Sequence, residues 1–285
     1  MSDPVPSVAM PEADDAFQRG LFTRLANDPE FSVADAVASF VKFEAEETNF
    51  LTHSQNHILP WKTFYALAQV AKETSASDKL DKLVGFVMEL ETIEVLNPET
   101  GKLVMHENGR VWNDLPYFGW TFGDELNTGI RGFDEKVVPP ETLKRMENLV
   151  IYTARLSNAT DVPYSHPTAP NTDFTGWSMH DFRNAFNEPE QRFEEKKMAT
   201  RCWCLWLIHA GERMLTNCQH APCWPSLSVD EITQEAWEIW RSKTKTARDV
   251  FDEDTTRLVD EALRSMRAAE DKHGGPYSIK DAKSS

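Results

Sequence analysis

The stretch Trp203-Cys-Leu-Trp-Leu-Ile-His-Ala210 is nearly continuously apolar and lies inside a longer helical pattern from about Glu190 to Asn217. A helix that is apolar around its whole circumference is normally buried, because none of its sides favours contact with water. The polar start of the pattern and its apolar middle therefore predict a central helix around which other helices pack, and with it an all-α fold.

Helical patterns on both sides of the central one support this fold class. In the clearest of them, from Leu80 to Leu90, apolar residues recur three and four positions apart and form one buried face. Similar patterns predict helices over about 14–27, 33–51, 61–73, 139–159, 228–243 and 253–272. Alternating strands and helices are absent from the pattern, which disfavours a Rossmann sheet or a β/α barrel.

One short segment favours strands. Ile93-Glu-Val-Leu96 and Lys102-Leu-Val-Met105 flank the turn residues Asn97-Pro-Glu-Thr-Gly101. This predicts one small β-hairpin near 93–105, with a plain loop as the alternative.

The domain organisation follows from the breaks in these patterns. Prolines interrupt the first residues, and Gly274-Gly275-Pro276 ends the last helix before a polar tail. We expect a disordered tail over 1–13, one helical domain over 14–272 and a second disordered tail over 273–285. The proline-rich stretch Asp161–Trp177 is a candidate lid over a binding site.

Composition narrows the classes of partner. The chain has 30 Lys and Arg against 46 Asp and Glu, a formal net charge of −16. Nucleic acid and anionic membranes are therefore disfavoured as main partners. The N-terminus has no secretory pattern, and the longest apolar stretch is far shorter than the roughly 20 residues that span a bilayer. We expect a soluble, cytoplasmic protein.

Motifs for common cofactors are absent, so no cofactor is expected. The chain contains no Gly-x-Gly-x-x-Gly, Walker-type, His-Glu-x-x-His or Gly-x-Ser-x-Gly sequence. A cluster of Cys and His residues could hold zinc or consist of structural thiols: Cys202, Cys204, His209, Cys218, His220 and Cys223. Cys202 and Cys204 point roughly 200° apart on a helix, so the thiol interpretation is favoured and no metal is predicted.

The segment Val111-Trp-Asn-Asp-Leu-Pro-Tyr-Phe-Gly-Trp120 surrounds Asp114 with aromatic residues, among them Trp112 and Trp120. A carboxyl group in such surroundings can have a raised pKa and act as a general acid or base, or it can bind a cation. Glu125 follows on the next helical turn. The alternative, which we favour, is that Asp114 caps a helix with Pro116 in its first turn.

A second candidate site lies in the central helix. His209 and Glu212 are three residues apart, and a histidine oriented by a carboxylate is the minimum for acid–base chemistry. Trp224 and Trp240 are candidates for the rim of an adjacent ligand pocket. The alternative is a histidine that makes one buried hydrogen bond. The pair His53 and His57, four residues apart, has a weaker claim and more simply marks a polar helix end.

Several of these segments resemble a known family when they are taken together. They are Val111–Trp120 leading to Glu125-Leu-Asn127, then Leu205–Glu212, then Trp224-Pro225 followed by Trp237 and Trp240. Their order and spacing, over about 67–251, resemble a family of fungal proteins catalogued as domain of unknown function 3632. At Gly123-Asp124-Glu125 the chain departs from the Arg-Glu pair expected there, which puts a shared ionic contact in doubt. The resemblance implies a fungal origin and a helical fold, but no reaction and no catalytic residues.

Two functions from different classes remain open. In the first, the protein binds a small molecule, as an accessory protein or a cofactor-free enzyme of a fungal secondary-metabolite pathway. His209, Glu212 and Asp114 would then titrate, and Trp112, Trp120, Glu125, Trp224 and Trp240 would contact the ligand. In the second, it is a non-enzymatic interaction or regulatory protein, which an exposed apolar patch around Trp237 and Trp240 would favour. The basic stretch Trp240–Arg248 is interpreted as a solvated helix face.

Overall fold

The computed structural model describes residues 16–47, 59–97, 100–106, 109–130, 139–160, 172–220 and 232–278. In this part of the chain the helices are α1 (Ala16–Asn27), α2 (Val33–Glu47), α3 (Leu59–Glu73), α4 (Ser77–Leu90), α5 (Phe118–Ile130), α6 (Pro140–Ala159), α7 (Ser178–Phe186), α8 (Phe193–Gln219), α9 (Gln234–Thr246) and α10 (Glu253–His273). A 3-10 turn, Thr175–Trp177, precedes α7. The all-α prediction is confirmed.

Helix α8 is the centre of the fold, as its apolar stretch predicts. Trp203 and Trp206 are completely buried, and α8 packs most extensively against α10, α6 and α7. The N-terminal helices reach it through α6, which contacts α3, α4 and α8. The helix bends at Ala210, whose backbone angles (φ −131°, ψ 15°) are not helical. The bend changes the direction in which the residues after it point.

The predicted hairpin is present. Leu96 and Leu103 form an antiparallel bridge, and the Asn97 N–H donates to the Lys102 carbonyl oxygen at 2.8 Å. The chain then continues into a second antiparallel pair, β1 (Met105–His106) with β2 (Gly109–Arg110). The hairpin near 93–105 is therefore one half of a small meander between α4 and α5.

Helix α7 lies where the sequence analysis assigned no element. Its buried residues Met179, Phe182 and Ala185 recur every third position and face α8. This period is a helical signal, but nine residues give it less than three turns. Contact with α8 therefore stabilises α7, and the isolated pattern is too short to predict it with ease.

Helices α9 and α10 lie side by side on α8. The Trp203 indole N–H donates to Thr244 Oγ1 at 2.8 Å and holds α9, while the Ser265 hydroxyl of α10 donates to the Ile208 carbonyl oxygen at 3.3 Å. Both helices begin with a side-chain cap, Thr233 for α9 and Asp252 for α10. Their outer sides leave a groove between them.

The ends of the chain are described in part. The predicted N-terminal tail, 1–13, lies outside the described residues. Of the predicted C-terminal tail, 273–278 is described, and Gln219 Nε2 donates to the carbonyl oxygens of His273 at 3.3 Å and Gly275 at 3.0 Å.

Candidate functional site

The structure does not pair His209 with Glu212. The imidazole of His209 lies half-buried near Arg155 of α6 and Asp81 of α4, and burial followed by the Arg155 charge lowers its pKa to about 4. The Glu212 carboxylate instead contacts α10. Within the described residues no hydrogen bond joins the two side chains. The bend at Ala210 separates them, because the three-residue spacing brings side chains together only on a regular helix.

Glu212 has a different histidine partner. Its Oε2 lies 3.2 Å from Nε2 of His273 and 2.7 Å from Nζ of Lys272. The hydrogen bond from Lys272 is the main cause of a lowered Glu212 pKa. Sequence spacing gave no indication of this contact, since 61 residues separate Glu212 from His273. Lys272, a cation in the last turn of α10, also suits the negative end of that helix, and the cluster closes the α8–α10 contact.

Asp114 is neither a helix cap nor an acid with a raised pKa. Helix α5 begins at Phe118, and the Asp114 carboxylate accepts hydrogen bonds from the Arg110 backbone N–H at 2.6 Å and the Arg110 guanidinium at 2.7 Å. The guanidinium hydrogen bond lowers the Asp114 pKa. Asp114 therefore does not cap α5, which begins four residues later, and its pKa is lowered rather than raised because Arg110 of β2 supplies a cation that the aromatic pattern does not reveal.

The aromatic residues proposed as ligand contacts are dispersed. Trp112 is buried against the rings of Phe40 and Phe64, with centroid distances of 5.0 and 6.0 Å. Trp120 is 63% exposed, and Trp240 is buried against Trp203 at 5.5 Å. The structure therefore does not gather these tryptophans around one ligand. Trp237 and Trp240 both lie in the core, so they do not form the exposed apolar patch that would favour an interaction protein.

Glu125 belongs to an ion-pair network rather than a pocket of aromatic residues. Its Oε2 accepts a hydrogen bond from Gln69 Nε2 at 2.9 Å and forms an ion pair with Lys72 of α3. Lys72 also presents its carbonyl oxygen to Asn148 of α6 at 2.8 Å. Glu125 thereby joins α5 to α3 and α6.

Three of the four thiols lie in the core, whereas His209 and His220 are half-buried. Cys202, Cys204 and Cys218 are free and buried, and burial raises the pKa of each, that of Cys204 to about 12. A thiol that stays protonated at neutral pH is a poor metal ligand or nucleophile, which supports the interpretation as structural thiols. The other residues of interest, His53, His57, Cys223 and Trp224, lie outside the described residues.

The groove between α9 and α10 is lined mainly by charged side chains. It has a volume of about 730 Å³. Five cationic side chains line it: Arg241, Lys245, Arg248, Arg264 and Arg267. Three acidic side chains line it as well: Glu238, Asp260 and Glu270. In a chain of net charge −16, an excess of cations in one cavity is a local reversal of sign.

Ion pairs lie at the two ends of this groove. At one end Arg241 binds Glu270 at 2.8 Å and also pairs with Glu238. At the other end Arg248 binds Asp260 at 2.9 Å. All three acidic side chains of the groove are therefore engaged by an arginine.

Between the two ends lie Lys245, Arg264 and Arg267. All three are exposed, and none forms an ion pair with any residue that the structure describes. Arg264 and Arg267 are three residues apart and so are neighbours on α10, while Lys245 faces them from α9. The middle of the groove is thus a cationic site, for which we use the term cationic triad (Lys245, Arg264, Arg267).

Comparison with models of known protein families finds a match over most of the helical region. The model of the family described as "Protein of unknown function (DUF3632)" matches residues 61–244, and the chain belongs to this family. Searches of curated proteins and of solved structures find no match. The matched region ends within α9, so the α10 wall of the groove lies beyond it.

Two further searches cover the described residues. None of their helices combines the length and apolar character needed to cross a bilayer. Among the same residues, no three or more His, Cys, Asp or Glu side chains are grouped as metal ligands.

Proposed function

We propose that this protein binds a small molecule with two or more negatively charged groups, carboxylate or phosphate, in the groove between α9 and α10. The observation that supports the proposal is the cationic triad, three exposed cations with no acidic partner among the described residues. Like charges held close together repel one another, so a multivalent anion relieves the repulsion and gains charge-assisted hydrogen bonds at once.

Size and boundaries favour a small ligand over a polymer. A volume of about 730 Å³ lies within the range of cavities that hold metabolite-sized molecules. The acidic side chains Glu238, Glu270 and Asp260 limit the positive region at both ends. A nucleic-acid backbone that continued beyond the groove would meet these carboxylates and an acidic protein surface.

The proposal describes a binding protein rather than an enzyme. The acid–base pair expected from His209 and Glu212 is divided by the bend in α8, and Asp114 is paired with Arg110. An accessory role in a fungal secondary-metabolite pathway and a cytoplasmic location belong to the same proposal, and they add no support to the assignment of the groove.

A thermal-shift panel tests the proposal. Acetate, succinate, citrate, phosphate and pyrophosphate are compared at equal ionic strength and pH. A ligand that binds the folded state stabilises it by about 2.7 kcal/mol at 100 times its Kd, so the expected result is a higher Tm with citrate and pyrophosphate than with acetate.

A pair of lysine variants provides the control. Lys245 and Lys243 both lie in the last turn of α9, but only Lys245 lines the groove. Lys245→Ala should reduce the Tm increase, and Lys243→Ala should keep it. Equal Tm values in all five anions, or equal losses in the two variants, would contradict the proposal.

A further inference from the structure

The ion pair between Arg248 and Asp260 marks one end of the groove. At this end the chain turns from α9 into α10 and exposes apolar side chains. The turn is held by the Val250 N–H, which donates to the Ala247 carbonyl oxygen at 3.3 Å. Val250 is 53% exposed. The next residue, Phe251, is half-buried. Arg248 is therefore separated from this apolar surface along the chain by Asp249 alone.

The first residue of α8 extends this surface. Phe193 is 56% exposed, and its ring lies 5.2 Å from that of Phe251. The contact is held from the side by the ion pair between Lys197 and Asp252 at 2.5 Å. We use the term apolar patch for Phe193, Val250 and Phe251. Phe193 and Val250 are exposed beside the half-buried ring of Phe251, so this corner of the fold offers apolar contacts to a ligand.

We infer that the ligand of the groove is an amphipathic anion, with its charged group on the cationic triad and an alkyl or aryl portion on the apolar patch. This inference rests on the proposed function, because it assigns the second half of the same ligand. The groove and the apolar patch are close along the chain, since Arg248 lines the groove and stands two residues before Val250. The two surfaces also complement the two ends of such a ligand, because the triad offers cations and the patch offers apolar side chains.

Such a ligand is a small molecule with a multiply charged end and an apolar end, such as an alkyl or aryl phosphate or an alkyl dicarboxylate. Fully hydrophilic anions use the triad alone. Burial of about two methylene groups is enough for a tenfold gain in affinity, so an octyl chain that reaches even part of the apolar patch has a measurable effect.

The test compares inorganic phosphate with octyl phosphate, both below the micelle-forming concentration, by titration of the full chain. Octyl phosphate should bind at least tenfold more tightly. Phe193→Ser should remove this preference and leave phosphate affinity unchanged, whereas Lys245→Ala should weaken both ligands. Leu96→Ser is the matched control, because Leu96 is 54% exposed on the distant hairpin.

The outcomes separate the two proposals. Equal affinity for the two phosphates, or a preference that survives in Phe193→Ser, would overturn the inference and leave the proposed function standing. Absence of binding by either phosphate and by pyrophosphate would defeat the proposed function itself. Vesicles containing phosphatidic acid form the third arm. Binding to vesicles without binding to monomeric octyl phosphate would overturn the inference in favour of a lipid surface.

Discussion

The carboxyl group of Asp181 accepts a hydrogen bond from the indole N–H of Trp206 at 3.0 Å, between α7 and α8. Its other oxygen has no hydrogen-bond donor among the described residues. The side chain is buried, and burial raises the Asp181 pKa to about 7. A charged carboxylate with one neutral donor is costly in the protein interior.

Asp181→Asn should therefore stabilise the protein at alkaline pH. Because the folded-state pKa lies above the unfolded value, the folded state binds more protons, and the wild type loses stability as pH rises from about 4 to 7. The variant does not lose stability in this way, because the asparagine amide does not ionise. In urea unfolding we expect similar stability at pH 4 and an advantage of about 2 kcal/mol for the variant at pH 8.5.

Glu91, whose pKa burial also raises to about 7, contributes the same slope to both proteins. The difference between wild type and Asp181→Asn therefore isolates Asp181. Asp254→Asn, at an exposed position of α10, serves as the control. Parallel pH profiles for wild type and Asp181→Asn would refute the explanation.

Gly123 is required by the close approach of α5 to the segment before α7. A Cβ atom at this position would lie 2.5 Å from Cζ2 of Trp177. Gly123→Ala should destabilise the protein by about 1–3 kcal/mol, because the Trp177 ring must shift. Gly20→Ala, on the exposed side of α1 with open space around it, should be neutral or stabilising by up to about 1 kcal/mol. Chemical denaturation of both variants measures the contrast, and a stable Gly123→Ala protein would show that the contact is looser.

The turn before α5 holds Trp112, Leu115 and Tyr117 at positive φ, 68°, 44° and 66°. Non-glycine residues adopt this region at a cost of about 1 kcal/mol or more. Tyr117→Gly should therefore be more stable than Tyr117→Ala by about 1 kcal/mol. At Tyr65, inside α3, the order should be reversed, because glycine is unfavourable in a helix. The same order at both positions would argue against backbone strain at Tyr117.

Asp252 caps α10 and so helps to position one wall of the groove. Its carboxylate accepts hydrogen bonds from the Thr255 N–H at 2.9 Å and from Lys197, and the Lys197 hydrogen bond is the main cause of a lowered Asp252 pKa. Asp252→Ala should cost about 1 kcal/mol at pH 7.

Because the folded-state pKa of Asp252 is depressed, this contribution is present above the unfolded value, 3.8, and is lost as pH falls below it. The difference between wild type and Asp252→Ala in thermal unfolding should shrink accordingly. A difference that stays constant into acid would mean that the carboxylate charge is not involved.

The helical fold could be read from the sequence because its signals are local. The apolar face of Leu80–Leu90 and the apolar stretch Trp203–Ala210 each lie within a few turns, and both helices form as predicted. The start of α5 was misplaced because a strained turn and the cation of Arg110 intervene, and neither leaves a periodic pattern.

The groove could not be predicted in the same way. Lys245 and Arg264 are 19 positions apart, and an unpaired cation is recognised only when the partners of its neighbours are known. In the sequence the stretch Trp240–Arg248 is a basic helix face like many others. Its significance follows from the pairing of Arg241 with both Glu238 and Glu270. Arg248 pairs with Asp260, so every acidic side chain of the groove has an arginine partner.

The most direct test of the central claim is calorimetric titration of pyrophosphate into the wild type and two double variants. Lys245→Ala with Arg264→Ala removes two cations of the triad, whereas Lys243→Ala with Arg257→Ala removes equal charge from the same helices outside the groove. The account predicts one binding site per chain, a Kd weakened at least tenfold by the first pair and little changed by the second. Absence of binding to the wild type, or equal weakening in both double variants, would contradict it.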